Sequence, residues 1–172
     1  MGSCSKPKPL NSAQPSPTPS VSVADAGADA CTLLTKEEIQ AVQGEAFKDT
    51  KPSLKTAAGL TVAQCYFELP TAMNSIVLTV MRKAEGGRNP AESWKEIFHR
   101  EKSQKREEGE EKEPLTVEGV GDEAFWTGTR VGGALYVLKG NCYIRISVGG
   151  AGDQTQKMEK SKTLAENVLK RL

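Results

Sequence analysis

One histidine, His99, and four cysteines, Cys4, Cys31, Cys65 and Cys142, are where nucleophilic, redox or transition-metal chemistry would have to be built in this chain of 172 residues. A Ser/His or Cys/His dyad, or a zinc site, needs an imidazole beside a nucleophile or further ligands. His99 stands between Phe98 and Arg100 where a helix is expected to end, the setting of a solvated or half-buried helix residue. Neither Cys-x-x-Cys nor His-Glu-x-x-His occurs. Carboxylates are plentiful, but Glu107, Glu108, Glu110, Glu111 and Glu113 fall in a mixed-charge stretch, without the apolar surroundings that split the pKa values of an acid and a base. Gly149-Gly150-Ala151-Gly152 has the look of a phosphate cradle, yet Asp153 puts a carboxylate where the anion would sit and no Gly-Lys-Ser/Thr follows, so it reads as a turn and a helix cap. No catalytic residue, metal ligand or cofactor is expected.

Residues suited to binding are easier to name. A Gly-rich turn leading into two aromatics, with Gly119, Gly121, Phe125 and Trp126, can shape a groove. Its structural alternative is a tight turn whose aromatics pack under a helix. Residues 83–89, with Ala84-Glu85-Gly86-Gly87-Arg88, are the candidate for a protruding loop. Nucleic acid is not an expected partner. The chain carries 23 basic and 22 acidic side chains, a net charge of +1, and so lacks the long-range field that draws polyanions. The basic cluster Lys102-Ser103-Gln104-Lys105-Arg106 is cancelled by neighbouring glutamates and has no interleaved aromatic for base stacking.

The cysteines speak instead to address and stability. Gly2-Ser3 before Cys4 resembles the end of a lipobox, the site at which lipoprotein signal peptidase cuts ahead of a cysteine that then carries lipid. Met1 would then be a cloning start, and any secretory signal already removed. Residues 5–29 hold Pro7, Pro9, Pro15, Pro17 and Pro19 among Ser, Ala and Thr, a composition that cannot bury enough apolar area to offset its ordering entropy. The expectation is a disordered tether that holds a domain away from a membrane, the lipid being the only membrane contact. No stretch approaches the roughly twenty apolar residues that span a bilayer. Of the other cysteines, Cys31 precedes the first helix, while Cys65 and Cys142 alternate with apolar residues and point inward from strands. A Cys31–Cys65 disulfide, with Cys142 a buried thiol, is the expected pairing; the alternative is three thiols acting as small hydrophobes.

The elements that must position these residues follow from caps and alternation. Leu34-Thr35-Lys36-Glu37-Glu38-Ile39 carries a capping box and a staple, and Gly44 ends the helix it starts. Residues 46–58 read as a first strand or an irregular extended segment broken by Pro52; residues 61–69 and 75–83 read as a hairpin. Asn89 caps a second helix with Pro90 at its first position and an inward stripe of Ala91, Trp94, Ile97 and Phe98, fraying into a charged, solvated loop at residues 102–113. Residues 123–127, 134–138 and 142–148 are extended, the last two joined by Lys139-Gly140-Asn141. Asp153 caps a final helix whose apolar face is Met158, Ser161, Ala165, Val168 and Leu172, widened by Leu164 and Leu169. The fold class is α+β: a disordered tether over residues 1–29, then one domain over residues 30–172, an antiparallel sheet with helices packed on it and an order suggestive of two βββα halves.

Cys31-Thr32-Leu33-Leu34-Thr35 with Glu38 and Ile39, then Cys65-Tyr66, then Val117-Glu118-Gly119-Val120-Gly121-Asp122-Glu123-Ala124-Phe125 resembles a loose set of small, uncharacterised bacterial exported lipoproteins. It is distantly similar to actinobacterial lipoproteins and to extracytoplasmic sensor domains of receptor kinases. The resemblance spans residues 30–172 and implies an exported α+β domain with a structural disulfide; it carries over no catalytic residue. The functional expectation is a non-enzymatic envelope lipoprotein, facing the periplasm or exterior, that binds a small molecule or a protein partner. The alternatives are an envelope hydrolase with an unrecognised carboxylate or Ser/Thr site, or an inhibitor of an envelope enzyme.

Overall fold

The structure, a computed structural model, describes residues 30–99, 113–128 and 132–172. Cys4, the tether of residues 1–29, the basic cluster at 102–106 and the charged run up to residue 112 lie outside the described residues.

Local signals place the helices where the sequence put them. The first, α1 (Lys36–Gln43), starts at Thr35, whose hydroxyl accepts from the Glu38 N–H at 3.3 Å while the Glu38 carboxylate accepts from the Thr35 N–H at 2.9 Å. It stops at Gly44, whose φ of 81° is the left-handed turn an L side chain resists. The second, α2 (Pro90–Phe98), is capped by the Asn89 side chain, and the third, α3 (Gln154–Leu169), by a box between Asp153 and Gln156.

Seven strands form one antiparallel sheet: β1 (Asp49–Ala57), β2 (Leu60–Glu68), β3 (Ile76–Lys83), β4 (Leu115–Thr116), β5 (Glu123–Gly128), β6 (Gly133–Lys139) and β7 (Cys142–Val148), in the order β1-β2-β3-β7-β6-β5-β4. The first strand corrects the sequence reading. It runs unbroken through Pro52, which stands opposite Cys65, because β1 is the sheet's edge and a missing N–H there costs no ladder bond. It also forms a tight hairpin with β2 through Ala58 and Gly59, both at positive φ (51° and 76°), the pairing of angles that a two-residue type I′ turn requires. A three-stranded meander, β1 to β3, and a four-stranded one, β4 to β7, meet at β3 and β7, and the helices that follow them, α2 and α3, take opposite faces of the sheet.

On one face, the cross-strand row Cys65, Leu78, Ile146, Leu135 and Trp126 has 0–1% exposure, lying beneath α1 and α3 with Ile39, Leu164, Ala165 and Val168. The Cys31–Cys65 disulfide ties the helical turn at residues 30–32 to this face, with a Cα–Cα distance of 5.1 Å. Cys142 is a free thiol but only half buried: it opens β7, past the end of the covering helix. Two apolar stripes are also corrected. On α2 the inward row is Pro90, Trp94 and Phe98, one helical turn apart, so Ile97 is rotated outward to 48% exposure. On α3 the helix ends at Leu169, which leaves Leu172 at 40% exposure, and Lys157 joins the buried side.

Candidate binding face

The other face of the sheet is covered only in part. Its helix, α2, spans nine residues and seals one corner by aromatic packing. Trp94 lies 4.5 Å from Phe98 and 5.8 Å from Tyr143 between ring centroids, and Phe98 stacks on Phe125 at 4.8 Å and meets Tyr136 edge-on at 5.2 Å. Leu60 and Met81 complete the cluster. Glu123 fastens the helix at its C-terminal end. One carboxylate oxygen accepts from the indole Nε1–H of Trp94 and the other faces Nε2 of His99 at 2.9 Å. The sole histidine is thus a half-exposed clasp on a glutamate, with no cysteine or serine partner among the described residues.

Beside that corner the described residues leave the sheet uncovered. Register places Gln64, Thr79, Arg145, Tyr136 and Phe125 directly opposite one another across β2, β3, β7, β6 and β5. The next row is Lys51, Tyr66, Val77 and Ser147. These two rows alternate with the fully buried row on the opposite face, as the strand period of two demands, yet all but Thr79 keep part of their surface in solvent. Arg145 is central. Its Nε–H donates to the Tyr136 hydroxyl at 3.1 Å and its guanidinium carbon sits 5.7 Å from that ring's centroid. No carboxylate pairs with it among the described residues. The other charges of this face are neutralised or peripheral. Glu68 bridges Lys48 at 2.8 Å and Lys51 at 2.5 Å, and these two ammonium groups hold its carboxyl at about 2, far below the ordinary carboxylate range.

The residues singled out in the sequence are not brought into one site. Gly119 and Gly121 have φ values of 78° and 65°, and a Cβ on Gly121 would lie 2.3 Å from Val137 Cγ1, so this turn is packed against β6. Phe125 and Trp126, adjacent on β5, point to opposite faces: Phe125 into the α2 cluster, Trp126 into the main core, where its Nε1–H has no partner among the described residues. The glycines edge an open depression of about 310 Å³, shared with Val120, Lys139, Glu166, Leu169 and Lys170, which neither aromatic lines. Asp122 nearby is held below the usual carboxylate range by the Gly140 N–H and then by Lys139. The loop at residues 83–89 is pinned: a Cβ on Gly87 would lie 2.0 Å from the Gly59 carbonyl oxygen, and Arg88 pairs with Glu96. At residues 149–152 the chain is likewise structural, the Gly149 carbonyl accepting from Gln43 Nε2. Burial raises the pKa of the Cys142 thiol above its ordinary value, which makes it a poorer nucleophile at neutral pH.

Among the described residues no group of three or more His, Cys, Asp or Glu side chains is placed to hold a metal, and no helix is long and apolar enough to cross a membrane. Comparison with protein-family models, curated proteins and solved structures found no match. Sequence reasoning missed the open face entirely. Its residues come from separate strands, and the one signal available was Arg145 interrupting the apolar run of residues 142–148.

Proposed function

We propose that this chain is a non-enzymatic binding domain of the cell envelope, held by a lipid on Cys4, and that the open half of its sheet is the surface that binds. One observation carries the reading: the described residues bury the central strands of one face and leave part of the other as a polar and aromatic surface built around an arginine that has no carboxylate partner among them. A bare sheet face that served only stability would carry small polar side chains or a second helix, whereas part-exposed Tyr66, Tyr136 and Arg145 are residue types enriched where proteins bind. The disulfide supports an oxidising compartment, since such bonds are rare where the cytosolic thiol pool keeps cysteines reduced. Metabolic labelling with palmitate tests the anchor: incorporation into the full chain that is lost in Cys4→Ala is expected, and label retained in that variant overturns it. The binding surface is tested by hydrogen–deuterium exchange of the full chain with and without soluble envelope extract. Protection confined to β2, β3, β6 and β7 is expected; protection only at the depression beside Gly119 and Gly121 would move the site there.

A further inference from the structure

We infer that the open half-face binds the carboxylate of a small hydroxylated acid of sugar-acid size, with Arg145 as the anion-binding residue. This rests on the binding reading above and narrows it to a ligand class.

Charge comes first. Among the described residues, every other charged side chain on this face has a partner or lies at the rim: Lys51 pairs with Glu68, Glu123 accepts from the Trp94 indole and faces His99, and Asp49, Lys55 and Lys83 are exposed at strand margins. Arg145 is half buried in the middle, and the only partner of its guanidinium among the described residues is a neutral phenol, at Nε. A guanidinium carries its donors in a flat fork, so both terminal NH2 groups stay available to an incoming ligand. Removing a cation from water is costly unless an anion or strong acceptors replace the lost hydration. A guanidinium whose partner among the described residues is neutral matches one monoanion. A planar carboxylate fits the fork with two parallel hydrogen bonds, while a phosphate dianion on the same residue would remain half neutralised.

The surroundings specify the rest of the ligand. Because the Tyr136 oxygen accepts from Arg145, its own O–H is left to donate, adding a third donor beside the fork. Gln64 continues the same row beyond the buried Thr79 and offers an amide to ligand hydroxyls. Ser147 is occupied, donating to the Gly133 carbonyl at 2.8 Å. Tyr66 on β2 and Tyr136 on β6 are three strand steps and one row apart, about 16 Å at roughly 4.8 Å per step and 3.4 Å per residue. That span accommodates one or two sugar-sized rings between two aromatic side chains, with α2 as a wall at one end. Aromatic rings, a polar floor and a single fork describe a hydroxylated monocarboxylate better than a lipid or a polyanion.

The test is an NMR titration of the full chain with glucuronate, and with glucose and inorganic phosphate in parallel. Glucuronate should move the Arg145 Nε–H and the amides of Gln64, Thr79, Tyr136 and Arg145, with about millimolar affinity for so small a probe. Arg145→Gln should weaken it by about tenfold or more, and Arg145→Lys should recover part of the loss because it keeps the charge without the fork. Unchanged thermal unfolding of both variants shows that neither has lost the fold. Equal binding of glucose through the same resonances, or tighter binding of phosphate, overturns the carboxylate assignment and leaves the binding reading standing. Glucuronate binding that is unaffected by Arg145→Gln overturns the role of Arg145. An open face unmoved by all three probes overturns this inference; the binding reading falls separately, if extract gives no protection there either.

Discussion

Reduction of the Cys31–Cys65 bond gives the sharpest test of how this domain is held together. The bond joins residues 34 apart in sequence, and the entropy of closing such a loop in the unfolded chain corresponds to about 4 kcal/mol at 25 °C. Reduction leaves both sulfur atoms in place, and Cys65 has 0% exposure within the main core, so no cavity opens and the effect acts chiefly through the unfolded state. For a domain of this length each kcal/mol moves the midpoint by about 3–5 °C, so the reduced protein should melt roughly 10–20 °C below the oxidised one. The assay is thermal unfolding by circular dichroism, with and without a phosphine reductant, in a Cys4→Ser, Cys142→Ser background that prevents thiol exchange. A second readout is hydrogen exchange at residues 30–34, where Ala30, Leu33 and Leu34 are buried only because the bond and α1 hold them down. A reduced midpoint within about 2 °C of the oxidised one would refute the loop-entropy reasoning, because a constraint of this size cannot vanish from the denatured chain unless that chain keeps the two cysteines together.

Three further outcomes follow from particular contacts. Trp94→Ala should cost about 3–5 kcal/mol in urea unfolding, because it empties the centre of the α2 cluster; a loss below about 1 kcal/mol would mean that α2 does not depend on that ring. Gly149→Ala should destabilise by about 1–3 kcal/mol, since the added Cβ would lie 2.1 Å from the Met73 carbonyl oxygen; unchanged urea midpoints would show that the loop yields freely. Glu68 has a folded pKa of about 2, below its ordinary value near 4.5, so its contribution is present above about pH 4.5 and is lost as pH falls toward 2. Carbon-detected NMR titration should therefore find Glu68 ionised at pH 3.5, and Glu68→Gln should flatten the stability profile between pH 4.5 and 2; a midpoint near 4.5 would mean that Lys48 and Lys51 do not hold it in solution.

Much of the frame was legible because it is coded locally. The box at Thr35/Glu38, the caps at Asn89 and Asp153 and the turn at Gly140 need only residues within a turn of one another. The disulfide was legible as well, from a loop cysteine set against an inward-facing strand cysteine. The errors lie where distant chain decided. Pro52 looked like a break, but whether proline is tolerated depends on which strand is the edge. The Ala58-Gly59 turn was missed because alanine rarely takes a positive φ, and here nine aligned pairs between β1 and β2 hold it there. The stripe on α2 was rotated by one residue, since Ile97 and Phe98 are equally apolar and only the position of the sheet chooses between them.

The sequence by itself determined the start of each of α1, α2 and α3, the stop of α1 at Gly44, the alternation of the central strands and the cysteine pair, because these depend chiefly on neighbours a few residues apart. Only the tertiary structure decided that α2 and α3 would take opposite faces and that α2 would reach across just part of its own. The same holds for the row of Gln64, Thr79, Arg145 and Tyr136, which exists because backbone register between β2, β3, β7 and β6 aligns residues far apart in the chain. Shifting any one of those strands by a single residue would turn its member of the row into the core.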